Sequence, residues 1–183
     1  DFEKACDLAV RGLDALLDYQ KYPVLAAELA TQKRRPLGIG IINFAFWLAK
    51  HDSTYQEPDL DLVHEWTEAW SYYLIKASVQ LAKESGACPG NSETKYGQGI
   101  LPIDTYKTDV DELAAPNYKQ DWDTLRADLT EHGIRNSTLM ALMPAETSAQ
   151  ISNSTNGIEP PRSYVSIKQS KHGVLKQVVP QYH

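Results

Sequence analysis

The chain has 183 residues, 42% hydrophobic and 23% charged, an ordinary globular balance in a length that can bury a core. Its 24 acidic residues outnumber 18 basic ones, for a net charge of −6, so it has no basic face for gripping a nucleic-acid backbone. No apolar run reaches bilayer length and the stretch from Asp1 lacks the pattern of a signal peptide, so the expected setting is cytoplasmic, without a membrane partner.

Phe2, Cys6, Ala9, Val10, Leu13, Leu16 and Leu17 recur at helical spacing and predict a helix over residues 2–17. Tyr22-Pro23 interrupts it, and residues 24–33 read as a second, short helix. The basic run Lys33-Arg34-Arg35 before Pro36 is expected on a solvated surface connection. Residues 37–42 form a continuous apolar run with β-branched members, the pattern of a strand buried on both faces. Asn43 is placed to cap a helix over 44–50.

A charged loop over 51–61 then leads into the strongest helical pattern, marked by Leu60, Val63, Trp66, Trp70, Tyr73, Leu74, Ala77 and Leu81 and stopped at Gly86. Residues 86–99 read as loop with one helical turn, and 100–106 are too short to assign. Asp121 caps a helix containing Leu125 and Leu129, which Gly133 ends. Residues 137–143 are a second buried-strand candidate, stopped by Pro144, and 147–152 can make a turn or two of helix. Residues 164–168 and 174–179 are strand-like around Ser170-Lys171-His172-Gly173, a hairpin signal.

Helices alternating with short buried strands predict a helix-rich α/β fold with a β-hairpin near the C-terminus. There is no internal repeat and no interdomain linker, so residues 1–183 are expected to be a single segment. The chain opens at Asp1 inside a helical pattern and closes on Gln181-Tyr182-His183 just after a strand. Both ends are therefore expected to be cuts inside something larger.

Cys6 and Cys88 form no CxxC pair, and no Cys/His spacing suits a metal ion. Cys6 lies on an apolar helical face and reads as core; Cys88, in a Gly-Ala-Cys-Pro-Gly turn, reads as a reduced, passive thiol. His51, His64, His132, His172 and His183 share no ligand spacing, and His132 is placed to help end its helix. The stripe Trp66/Trp70/Tyr73 reads as core and the acidic residues Asp59, Asp61, Asp109, Asp111 and Glu112 as solvated charge. The Asn-x-Ser/Thr triplets at Asn136 and Asn153 read as chance matches.

The segment that suggests chemistry runs from Asn136 to Arg162: strand, Pro-bounded turn, then a helix start packed with small hydroxyl residues. The first turn of a helix presents unpaired N–H groups and about half a positive charge, and small residues let a phosphate approach. Thr147 and Ser148 can add hydroxyl donors. Thr147-Ser148-Ala149-Gln150 is equally a capping pattern in which Thr147 serves its own helix, and on spacing alone that structural reading is the commoner one. Glu146 helps the helix dipole and opposes a bound anion unless its side chain turns away.

Pro144-Ala145-Glu146-Thr147-Ser148-Ala149-Gln150-Ile151-Ser152-Asn153, continued by 155–162, closely resembles the phosphate loop of class I ribonucleotide reductase large subunits of enterobacterial and phage type. The stretches at 34–40, 86–89, 99–106 and 165–168 are similar to the same family in the same order. The resemblance implies part of a ten-stranded α/β barrel. It further implies reduction of ribonucleoside diphosphates by a thiyl-radical mechanism, with Glu146, Thr147 and Ser148 holding the substrate diphosphate and Pro144 and Ala145 shaping the turn. The family often has a hydroxyl residue where this chain has Ala145, which would remove a minor contact and leave the backbone amides intact.

The same resemblance implies that the radical and redox cysteines and the effector regions precede Asp1, and that the radical-relay tyrosines and the redox tail follow His183. No catalytic residue, cofactor or metal site is therefore expected in this chain. The intact enzyme would use ATP/dATP effectors, a second large subunit, a small subunit carrying a metal-radical cofactor, and a thioredoxin- or glutaredoxin-type reductant. The alternative reading is a non-catalytic association module or one part of a split reductase.

Overall fold

The computed structural model describes residues 1–171 and 173–180, so His172 of the expected hairpin turn and residues 181–183 lie outside the described residues. The chain divides into two compact units, one of Asp1–Ile39 with Leu60–Met140 and one formed by Gly40–Asp59 together with residues from Ala141 onward.

The first unit is helical. Helix α1 (Phe2–Tyr19) starts with the Lys4 N–H on the Asp1 carboxylate, and its spaced apolar residues bury Cys6 and Val10. It packs on α4 (Leu60–Ser85), the long helix that the periodicity predicts, and α4 packs in turn on α5 (Trp122–His132). Leu74, Ile75 and Val79 of α4, Leu125 and Leu129 of α5, and Ile134 and Leu139 beyond it close one core. Each such side chain contributes roughly 2 kcal/mol relative to exposure. Gly86, at φ +86°, ends α4, and its N–H closes on the Ala82 carbonyl. Asp121 caps α5 by accepting from the Thr124 N–H, and Gly133 ends it, both as expected.

Helix α2 (Leu25–Arg34) also matches its expected span, but the connection after it does not. Arg35, expected in a solvated basic run, is 3% exposed. It adopts a left-handed conformation after α2, and its guanidinium reaches Asp14 at 2.7 Å and Asp18 at 2.7 Å on α1. Asp14 also accepts from the Asn136 side-chain amide and faces Arg135 at 3.3 Å, so the buried charges are paired. Lys33 and Arg34 do lie on the surface, both on Glu93. The Trp66/Trp70/Tyr73 stripe divides. Trp70 and Tyr73 pack on the core, whereas Trp66 is 41% exposed and meets Phe2 at its edge.

The two apolar runs expected as buried strands find one another but form no strand of their own. They meet in a single parallel bridge, Ile39 with Met140, held by Leu37 N–H to Thr138 O and Ile39 N–H to Leu139 O. Leu37 and Leu139 are buried, while Leu142 and Met143 are exposed, so burial on both faces holds only where the core reaches them. Between α4 and α5 the chain makes four short 3-10 turns, at Asn91–Glu93, Tyr96–Gln98, Pro102–Asp104 and Thr108–Glu112.

The second unit contains α3 (Phe44–Lys50), α6 (Glu146–Ile151) and the antiparallel pair β1 (Val165–Ser170) and β2 (Gly173–Val178). The pair runs in register from Val165 opposite Val178 to Ser170 opposite Gly173. Gly40 sits where an added Cβ would lie 2.6 Å from the Ala141 carbonyl oxygen and 2.7 Å from the Met143 sulfur. Only glycine permits that approach. Tyr55 donates its hydroxyl to the Ile158 carbonyl, and burial beside the Glu159 charge pushes that phenol up.

Among the described residues no helix is long and apolar enough to cross a membrane, and no group of three His, Cys, Asp or Glu could hold a metal ion.

Candidate functional site

Pro144 stops the apolar run, and Ala145, at φ −124° and ψ 45°, turns the chain into α6. The helix starts at Glu146, one residue ahead of the expected span, so Thr147 stands in its first turn and is not its cap. The capping reading of Thr147 is corrected on this point. The cap position is held by Ala145, whose side chain has nothing to offer a backbone N–H.

Pro144, Glu146, Thr147 and Ser148 are exposed, Ala145 is half-buried, and Ala149 is the residue that anchors the turn, 1% exposed. All five expected site residues therefore share one open turn. The Ala149 N–H closes the first helical bond on the Ala145 carbonyl at 2.8 Å. Among the described residues the backbone N–H groups of Thr147 and Ser148 have no acceptor, which is the ordinary state of a first helical turn open to solvent.

Two asparagines that the sequence reading assigned other roles, or none, hold this turn. Asn156 Oδ1 accepts the Ala145 N–H at 2.7 Å. Asn43 was expected to cap α3, but its side chain makes no cap there; its Oδ1 accepts the Thr155 N–H at 3.0 Å instead. The signal for Asn156 was its place in an Asn-Gly pair, a turn dipeptide. A partner 112 positions away in sequence left no local signal for Asn43.

Beside Glu146 lies a cleft of about 300 Å³, bounded by Ser154, Thr155, Asn156 and Arg162 on one side and by Ser166 and Gln177 of the hairpin on the other. Thr155 Oγ1 is buried at its edge without a hydrogen-bond partner. The arrangement offers amides, hydroxyls and one guanidinium around an open turn. That set can bind an anion. His51 is engaged with the Trp47 carbonyl, and His132 stands in the last turn of α5, which the Gly133 N–H closes on the Leu129 carbonyl.

Comparison with known proteins gives the family of the chain. Residues 1–183 match the model of the ribonucleotide reductase barrel domain. The chain is 61% identical over 175 residues to the ribonucleoside-diphosphate reductase subunit alpha of Haemophilus influenzae, covering 95% of this chain and 23% of that protein. It is 60% identical over 167 residues to the reductase 1 subunit alpha of Escherichia coli, covering 91% and 22%. Against the subunit alpha of Enterobacteria phage T4 it is 55% identical over 183 residues, covering 98% and 24%. The chain thus spans about a quarter of the length of the curated relatives it matches.

Proposed function

The chain belongs to the ribonucleotide reductase barrel-domain family, and on that premise we propose that it supplies the substrate-diphosphate turn of a ribonucleoside-diphosphate reductase large subunit. In this reading Thr147 and Ser148 hold the diphosphate through their N–H groups and hydroxyls, with Glu146 beside them, and Pro144 and Ala145 shape the approach. The observation that carries it is the open first turn of α6, where the Thr147 and Ser148 amides face solvent unengaged. Ala145 forgoes the minor hydroxyl contact that the family often has there and leaves the grip to the amides and hydroxyls of Thr147 and Ser148 together.

The runs at 37–42 and 137–143 would be neighbouring parallel strands of a ten-stranded α/β barrel in the whole subunit. Their parallel bridge supports that placement. The whole enzyme would pair two large subunits with a radical-generating small subunit that carries the metal-radical cofactor. It would respond to nucleotide effectors such as ATP and dATP and be recharged by a thioredoxin- or glutaredoxin-type reductant.

Cys6 and Cys88 are buried free thiols, and in this reading the radical and redox cysteines belong to other parts of the subunit. The 183-residue chain alone is accordingly expected to form no deoxynucleoside diphosphate above a protein-free control. In the full-length subunit that carries this stretch, Thr147→Ala combined with Ser148→Ala is expected to raise KM for ribonucleoside diphosphates by roughly a hundredfold, since two hydrogen bonds to a charged group are lost at about 1.5 kcal/mol or more each and about 1.4 kcal/mol is tenfold. An unchanged KM in that double variant overturns the assignment of the site.

A further inference from the structure

We infer that Asn156 and Asn43 are positioning residues for the diphosphate turn, an inference that rests on the reading above and adds two side chains to it. Helix α6 has six residues and no side-chain cap, too short to hold its first turn by helix propagation alone. Its geometry is set from outside. Asn156 Oδ1 takes the Ala145 N–H at 2.7 Å. One residue earlier, Thr155 and Asn43 exchange two bonds: Thr155 N–H to Asn43 Oδ1 at 3.0 Å, and Asn43 N–H to Thr155 O at 2.9 Å. The Ser154 N–H reaches the Ala149 carbonyl at 2.8 Å and the Phe44 N–H reaches the Gly157 carbonyl at 3.3 Å. The return loop is thereby tied to α6 on one side and to the start of α3 on the other.

The division of labour follows from which donors are consumed. Ala145 spends its N–H on Asn156, while those of Thr147 and Ser148 stay open to an anion. Asn43 sits at φ 67°, ψ 22°, a left-handed conformation that asparagine and aspartate tolerate better than other side chains. Asn43 thus serves at once as a permitted backbone conformation and as the acceptor that fixes Thr155. Each carboxamide oxygen is used on the protein's own backbone, so both residues act through the turn and not on the substrate atoms undergoing reaction.

The test uses the full-length subunit carrying this stretch, assayed with its radical-generating partner. Asn156→Ala and Asn43→Gly each delete one acceptor, and Asn43→Gly keeps the left-handed backbone. Each is expected to raise KM for ribonucleoside diphosphates by roughly three- to tenfold, the equivalent of one positioning hydrogen bond, and to change KM by more than it changes kcat. Asn43→Asp, which keeps both the acceptor and the backbone tolerance, is expected to restore KM to within about twofold of the parent. Thr147→Ala with Ser148→Ala, measured alongside, reads the site itself. If that double variant raises KM while Asn156→Ala and Asn43→Gly do not, the positioning role is overturned and the site stands. If none of them moves KM, the site itself is wrong. Equal losses in Asn43→Gly and Asn43→Asp also overturn the role, because acceptor geometry would then be irrelevant.

Discussion

The Arg35 guanidinium donates to the Asp14 carboxylate at 2.7 Å, with the two residues 3% and 5% exposed, so helix α1 and the connection after α2 are joined by a buried ion pair. Burial alone would raise the Asp14 carboxyl, but hydrogen bonds from Arg35 and Asn136 outweigh it and hold the group below the ordinary carboxylate range. The Arg35 hydrogen bonds likewise hold Asp18 low. Removing one partner strands the other in the interior. Arg35→Ala is therefore expected to cost about 3–5 kcal/mol, seen as a lowered midpoint in denaturant titration. A loss under about 1 kcal/mol would mean that water reaches Asp14 freely.

The same cluster sets an acid limit. A carboxyl whose folded pKa lies below its unfolded value contributes stability that is complete above the unfolded pKa, about 4, and fades as pH falls through the folded value. Thermal midpoints should then show no loss from Asp14 and Asp18 between neutral pH and about 5, and should fall below about 4. Asp14→Asn, less stable throughout, should show a shallower fall. Parallel curves for parent and variant would remove Asp14 from the account.

Glu68 presents a second buried acceptor. It is 6% exposed and takes the Lys119 and Gln120 N–H groups and the Trp122 indole N–H on its two oxygens. This ties the segment before α5 to α4. Glu68→Leu is expected to leave those donors unsatisfied at roughly 3 kcal/mol and to shift Trp122 fluorescence towards that of a solvated indole. Retained stability with unchanged emission would show that α5 docks through its apolar face alone.

The helices were legible because each is decided within its own span: apolar residues three and four apart, Asp121 before α5, and Gly86 and Gly133 after α4 and α5. The hairpin was legible for the same reason. Arg35 was not, since a Lys-Arg-Arg run before a proline looks solvated until Asp14 and Asp18, 21 and 17 positions earlier, fold back on it. Asn43 has the form of a helix cap and spends its side chain elsewhere. The apolar runs at 37–42 and 137–143 have strand composition, but a ladder needs neighbours, and the described residues offer each run only the other. For the turn itself, residue types and the Pro144 stop indicated where it lies; the asparagine scaffold behind it depends on long-range pairing that no local pattern carries.

Gly40 tests how closely the two apolar runs must approach. A Cβ there would lie within 3 Å of the Ala141 carbonyl and the Met143 sulfur. The sulfur can swing aside; the carbonyl belongs to the backbone. Gly40→Ala is expected to cost about 1–3 kcal/mol as overpacking and to displace the segment leading into Pro144. An unchanged thermal midpoint would mean that the backbone gives way freely.

Both thiols should be slow. Burial, helped by the Glu3 charge, pushes Cys6 up to about 11, and burial raises Cys88 despite the backbone N–H groups and arginines near it. The thiolate is the reactive form, so a disulfide reagent at mildly alkaline pH should label neither cysteine of the folded chain quickly and both in denaturant. Immediate labelling of one of them in the native state would show an opening that exposes it.

The last expectation concerns the chain on its own. Leu8 and Leu16 of α1, and Leu25 and Leu29 of α2, are 60%, 53%, 68% and 62% exposed, and Tyr19 between them is 86% exposed. Single exposed leucines are common, but several on two adjoining helices exceed what a solvated surface ordinarily carries. The isolated chain should therefore self-associate, with a sedimentation coefficient that rises with concentration. Leu16→Lys with Leu29→Lys should lower that rise while leaving the helical circular dichroism in place, because both positions face outward. A monomer at every concentration tested would show that these leucines are tolerated in water, and the same result in the parent and the double variant would place the contact elsewhere.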